Sequence, residues 1–164
     1  MSVAVYDAVV TTPIKMLRNL DRLLERMMGY AESRGFEPKM MLHCRLAPDM
    51  FDLCRQIQLT TDFAKGPVAR LAGKEPMKLE DNETTVPQLR ARIERTRLYL
   101  SDFIADQFDD ADTRQISIPM REGTLEMTGA DYLLNFAIPN FYFHYTTAYN
   151  LMRANGMQIG KKDF

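Results

Sequence analysis

Apolar residues recur at intervals of three and four along four long stretches of the chain, and at intervals of two along one short stretch. The first stretch carries Tyr6, Val10, Pro13, Leu17, Leu20, Leu24, Met27 and Ala31, the spacing of one helix face. It predicts a helix from about Val3 to about Ser33, with Gly35 as its stop. Pro13 lacks a backbone donor, so a kink or a late start is expected there. A short helical turn is expected after Pro38. The second stretch is announced by Ala47-Pro48-Asp49, where proline suits the first helical position and Asp49 and Asp52 suit the positive end of a helix. Met50, Leu53, Ile57, Ala64, Val68 and Leu71 form its stripe, Gly66-Pro67 should bend it, and Gly73 ends it.

After a polar linker, Thr85 stands three residues before Gln88, the spacing of a capping box. The third helix that follows has Val86, Leu89, Ile93, Leu100, Phe103 and Ile104 on one side, with Arg90, Arg92, Glu94, Arg95 and Arg97 expected outside. The period then changes. Ile116-Ser117-Ile118 and Leu125-Glu126-Met127-Thr128 alternate around Arg121-Glu122-Gly123, which predicts a β-hairpin that needs a surface to pack on. The fourth helix starts at Thr128, is capped through Asp131 and ends at Gly156. Pro139 sits inside it among Tyr132, Phe136, Phe141, Tyr142, Phe143, Tyr145 and Tyr149, so burial on several sides is expected. The elements predict an all-α, up-down-up-down four-helix bundle with a short hairpin between helices three and four, one domain over 1–164.

Composition narrows the functional classes. The net charge of -1 argues against a nucleic-acid partner, which favours a basic surface. No apolar run approaches the roughly 20 residues that span a bilayer. Met1-Ser2-Val3-Ala4-Val5-Tyr6-Asp7 has neither the basic nor the apolar part of a secretory signal, so a soluble, cytoplasmic protein is expected. Cys44 and Cys54 read as reduced thiols. The 12 methionines read as core filler.

Candidate chemistry centres on the fourth helix. Of the two histidines, His43 lies near a loop. His144 shares a largely apolar face with Leu133, Ala137, Asn140, Ala148 and Leu151, so it should point inward and need a partner. Asn140 is one turn earlier, and with the Pro139 kink it suggests a pocket at mid-helix. Tyr145 and Tyr149 could offer phenols there. On the second helix Gln58, Asp62 and Lys65 share a face. Asp62 and Lys65 either pair at a solvated edge or line one wall of a cleft opposite His144.

The runs Arg45-Leu46-Ala47-Pro48-Asp49-Met50, Asp62-Phe63-Ala64-Lys65-Gly66, Asp131-Tyr132-Leu133-Leu134, Pro139-Asn140-Phe141-Tyr142-Phe143-His144 and Gly160-Lys161-Lys162-Asp163-Phe164 resemble a bacterial family classed as a domain of unknown function (number 1993). That family in turn resembles the DinB/YfiT-like four-helix bundles, many of them metal-dependent, with one histidine on the second helix and an H-x-x-x-H pair on the fourth. The resemblance places the second histidine of the pair on His144, the first on Asn140, and the second-helix histidine near Gln56 or Gln58. Two of the three nitrogens are thereby replaced by amides, so the resemblance implies the fold and a degenerate metal site.

The first expectation is a small-molecule binder with a pocket near His144, Asn140, Gln58, Asp62, Lys65 and Tyr145, and no cofactor. The alternative is a metal-dependent DinB-like enzyme, a thiol-dependent transferase or hydrolase, holding zinc or nickel with His144 and Asp62. A second alternative is a homodimeric interaction protein that packs its aromatic fourth helix on a partner.

Overall fold

Pro13 and Pro139 lie deep inside helical runs, and each is preceded by a widened π turn. The first run consists of α1 (Ser2–Tyr6), a π segment (Asp7–Thr11) and α2 (Thr12–Arg34). The last consists of α6 (Gly129–Asp131), a π segment (Tyr132–Ala137) and α7 (Ile138–Ala154). A proline ring collides with the carbonyl four residues back and offers no N–H. Opening the spiral by one residue relieves both problems, and so the expected kinks take this form. The computed structural model describes residues 2–164, so Met1 of the leader reading lies outside the described residues.

α2 stops where expected. Gly35 has φ 74° and donates its N–H to Glu32 O at 3.1 Å, a left-handed stop that a side chain would strain. α3 (Lys39–Leu42) follows Pro38. The second predicted helix begins later than Pro48, as α4 (Leu53–Leu71). Pro48 instead belongs to a turn closed by Met50 N–H on Ala47 O at 3.0 Å. The extended Asp52 is the true cap, its carboxylate accepting the N–H of Arg55 at 2.9 Å. α4 continues through Gly66 and Pro67 to Leu71, and Met50 lies outside its stripe.

α5 (Val86–Ser101) has the predicted capping box, with Gln88 N–H on the Thr85 hydroxyl at 3.4 Å and Thr85 N–H on Gln88 Oε1 at 3.0 Å. It ends before Phe103, which is buried, and Ile104, which is 61% exposed. Arg92 departs from the expected outer row: it is only 2% exposed.

The hairpin is β1 (Gln115–Met120) and β2 (Gly123–Thr128), antiparallel, with Ile118 opposite Leu125. Ile116 and Ile118 are buried and fix it to the helices. Gly129 then passes so close to the chain that a Cβ there would stand 1.6 Å from Ala111 O.

α4 packs on both α5 and α7, and α2 packs on α5 and, less extensively, α7. The first and second long helices are therefore not each other's main neighbours. Leu17, Leu20, Leu24, Leu53, Ile57, Leu89, Ile93 and Leu151 fill the space between. The chain end returns to α2 through Arg26 and Asp163 at 2.8 Å and Asn19 Nδ2 on Phe164 O at 2.9 Å. The fourth helix is less enclosed than expected. Tyr132, Phe141 and Tyr145 are buried, whereas Leu134, Tyr142 and Phe143 are exposed. Among the described residues, no helix is long and apolar enough to cross a membrane.

Candidate functional site

α4 and α7 bring His144 against Gln56. His144 is 8% exposed, and its Nδ1 lies 2.8 Å from Gln56 Oε1. The Gln56 amide nitrogen donates to Phe51 O at 3.4 Å, which turns the amide oxygen toward the ring. With that orientation Nδ1 carries the proton and Nε2 keeps its lone pair. Phe63 stacks on the imidazole at 5.3 Å and 17°, and Phe143 meets it edge-on at 5.2 Å. Burial first, then the Arg55 charge, push the His144 pKa below its ordinary value, against an opposing pull from Asp62. The ring is accordingly neutral at neutral pH.

Beside this pair lies a charge cluster around Arg92. Its Nε donates to Thr61 Oγ1 at 2.6 Å, one amino group to Asp62 at 2.9 Å and Asp81 at 3.0 Å, and the other to Glu83 at 3.1 Å and Glu80 O at 3.0 Å. Gln58 extends the cluster. Its Nε2 donates to Glu83 at 2.9 Å and its Oε1 accepts from Arg55 at 3.2 Å. Arg55 also pairs with Asp81, and Lys65 with Asp62 at 3.1 Å. A buried guanidinium needs this fork of acceptors, because an unpaired charge in the interior is costly.

The other sequence candidates scatter. Asn140 turns back on its own helix, Nδ2 donating to Phe136 O at 2.7 Å, and does not join His144. Tyr145 is fully buried against Phe141 and Phe164, with ring centres at 6.1 and 4.8 Å, one position round the helix from His144. Its hydroxyl has no hydrogen-bond partner among the described residues. Asp62 and Lys65 pair, and they line a cleft of about 310 Å3 with Leu59, Phe63, Arg70, Ile118, Tyr132 and Phe136, but this is not the expected cleft opposite His144. His144, Asn140, Gln58 and Tyr145 are not in its wall; Phe63 is the link between cleft and imidazole.

Neither thiol is set up for attack. Burial raises the pKa of Cys44, and burial with the charges of Asp52 and Glu83 raises that of Cys54 to about 11, the reverse of what activates a cysteine. Among the described residues, no three His, Cys, Asp or Glu side chains are arranged to hold a metal ion.

The sequence reading missed Arg92, Arg70, Phe63, Asp81 and Glu83. A signal existed for Arg92: Leu89, Arg92, Thr96 and Leu100 are three and four residues apart, and Leu89, Thr96 and Leu100 are all fully buried. Asp81 and Glu83 come from an irregular linker that carries no periodicity to read.

The helical scaffold is that of a DinB protein of known structure. A solved structure of a DinB family member protein from Shewanella denitrificans superposes with a TM-score of 0.94 at 41% identity, covering 99% of this chain and 92% of that one. More narrowly, residues 5–164 match the family described as Domain of unknown function (DUF1993), and the chain belongs to that family. No curated protein matches it.

Proposed function

We propose that this protein binds a small molecule between its helices beside His144, on a DinB-like scaffold whose metal position is degenerate. The observation that carries the reading is the Gln56–His144 hydrogen bond of 2.8 Å. Zinc takes imidazole, thiolate or carboxylate ligands. Here one imidazole nitrogen already faces a carboxamide, Asn140 is committed to Phe136 O, and Asp62 is held by Lys65 and Arg92. That donor set does not fit the three-nitrogen pattern, and we route no step through a metal. A neutral imidazole next to a cleft with an aromatic wall supports ligand binding instead. The pairing of α2 and α4 each with α5 and α7 supports a four-helix bundle with the first and second helices at opposite corners, but not the expected up-down-up-down order: Cys54 Sγ meets Glu83 O at 3.3 Å, Arg92 Nε meets Thr61 Oγ1 at 2.6 Å and Lys74 lies over Phe103, so α4 and α5 run in the same direction.

The test is metal analysis of protein purified without a histidine tag. Substoichiometric zinc and nickel, unchanged in His144→Ala, is the expected result. Stoichiometric metal lost in His144→Ala overturns the reading and favours a metal-dependent enzyme, a transferase or hydrolase. The exposed Leu134, Tyr142 and Phe143 favour a second reading, a homodimer formed through the fourth helix. Light scattering that gives a monomer mass at high concentration removes it.

A further inference from the structure

Arg70 is the cation that the charge cluster leaves over. Arg55, Arg92 and Lys65 are matched by Asp81, Glu83 and Asp62. Arg70, near the end of α4, makes no ion pair among the described residues, and Glu75 in the wall of the adjoining mouth does not supply one. Its one polar side-chain partner is the Tyr132 hydroxyl, at 3.4 Å from Nη1. Its place depends on Gly66, since a Cβ there would stand 2.6 Å from the same Nη1 and meets nothing else but the guanidinium carbon.

The guanidinium sits in the wall of the 310 Å3 cleft. The floor of that cleft is aromatic: Tyr132 stacks on Phe136 at 5.7 Å and 25°, and Phe63 stands 5.9 Å from Phe136, tilted 55° to it. Ile118 from β1 and Pro76 from the linker line it as well. An aromatic floor with one unmatched planar cation at its edge favours a ligand with an aromatic ring and one planar anionic group. Arginine presents two parallel N–H groups to a carboxylate. A neutral ligand leaves the cation uncompensated, and a cationic ligand is repelled.

We propose that the cleft between α4, the 74–84 linker and β1 is a binding subsite for a small aromatic carboxylate, its ring on Phe63 and Phe136 and its carboxylate on Arg70, with the Tyr132 hydroxyl as a second donor. Burial raises the Tyr132 pKa against the opposing Arg70 charge, which keeps that hydroxyl protonated and able to donate. The subsite deepens the reading of a small-molecule site beside His144 and rests on it through Phe63, which lines the cleft and stacks on the imidazole.

The test is an NMR titration of the full chain with 2-naphthoate and with its neutral analogue 2-naphthamide, in wild type, Arg70→Gln, Arg70→Lys and Gly66→Ala. Naphthoate should saturate wild type, weaken at least about tenfold in Arg70→Gln, as expected for loss of a charge-assisted pair, and recover in part in Arg70→Lys. Gly66→Ala keeps the charge and displaces the guanidinium. It should weaken naphthoate without lowering the urea midpoint, because alanine is the better helix residue, and it carries the test if Arg70→Gln does not fold. Equal naphthoate binding in wild type, Arg70→Gln and Gly66→Ala, naphthamide as tight as naphthoate, or no naphthoate binding at all overturns the subsite. Naphthoate that depends on Arg70 but leaves the His144 ring signals unmoved upholds the subsite and overturns the shared site. Stoichiometric metal at His144 overturns the reading above while the Arg70 dependence still stands.

Discussion

Arg92 Nη2 lies 2.9 Å from Asp62 Oδ1, and through that contact a guanidinium only 2% exposed ties α5 to α4. The same group holds Asp81 and Glu83 from the linker, so one side chain fixes three elements. Breaking a buried pair by removing one partner is far more damaging than the pair's net contribution suggests, because the remaining charges stay unpaired.

Arg92→Met should therefore destabilise the protein by about 3 kcal/mol, at the lower end for such pairs because Asp62 and Asp81 are partly exposed and regain water. Arg92→Lys should recover only part of this, since an ammonium cannot reproduce the fork. Urea unfolding measures both. A midpoint equal to wild type in Arg92→Met would show that the carboxylates simply turn to solvent.

His144 makes stability depend on pH in a predictable direction. Its folded pKa lies below the ordinary value of 6.5, so as pH drops past 6.5 the unfolded chain takes up a proton that the folded chain refuses. Stability is insensitive to this group above 6.5, declines below it, and levels off once pH passes the folded pKa. Asp81 acts in a lower window. Burial raises its pKa, but the Arg55 hydrogen bond and charge, then Arg92, outweigh that and leave it below 3.8. Its contribution is present above 3.8 and is lost as acid passes the folded value. Urea midpoints followed from neutral pH toward the carboxylate range should fall in wild type and stay flat in His144→Gln. A slope preserved in His144→Gln would assign the effect to another group.

Much of the scaffold was legible because its signals are local. The Thr85–Gln88 box, the left-handed Gly35 and the alternation around Gly123 each act within a few residues, and each appears where expected. The start of α4 was misplaced because Pro48 and Asp52 both carry start chemistry, and only the fold decides that Asp52 has the extended backbone of a cap. His144 was placed inward from its apolar neighbours alone. Its partner could not be read from spacing, because Gln56 and His144 are brought together by the packing of α4 on α7, far apart in sequence. Tyr145 is adjacent to His144 along the helix, whereas Asn140 shares its face one turn earlier. One residue is a rotation of about 100°, which sends Tyr145 to Phe164, and Asn140 is taken by the carbonyl of Phe136.

Gln56→Met keeps the volume of the side chain and removes the amide. The buried His144 N–H then loses its acceptor, and a loss of about 1–3 kcal/mol is expected. The ring should also move, visible as a changed chemical shift for the imidazole stacked on Phe63. If stability and the His144 shifts both match wild type, the Gln56 contact is not what orients the ring.

Gly129→Ala tests how closely the entry to the last helical run passes the segment before the hairpin. The new Cβ would stand 1.6 Å from Ala111 O, and Ala130 N–H bonds Asp112 O at 3.0 Å across the same contact. Backbone meets backbone here, so no rotamer change relieves the clash, and a cost of about 3 kcal/mol is expected. Thermal unfolding would settle it; a melting temperature within error of wild type would mean the two segments separate freely.

Tyr145→Phe distinguishes a site residue from a core residue. The Tyr145 hydroxyl is buried, finds no partner among the described residues, and has its pKa pushed strongly up by burial. A buried hydroxyl without a hydrogen bond is a burden on the fold. Deleting it leaves the ring contacts with Phe141 and Phe164 in place. The variant should be as stable as wild type or more stable by up to about 1 kcal/mol, and its binding of 2-naphthoate should be unchanged, since the phenol lies away from the Arg70 cleft. A clear drop in stability would show that the hydroxyl has a partner after all. A drop in affinity with stability intact would return Tyr145 to the site.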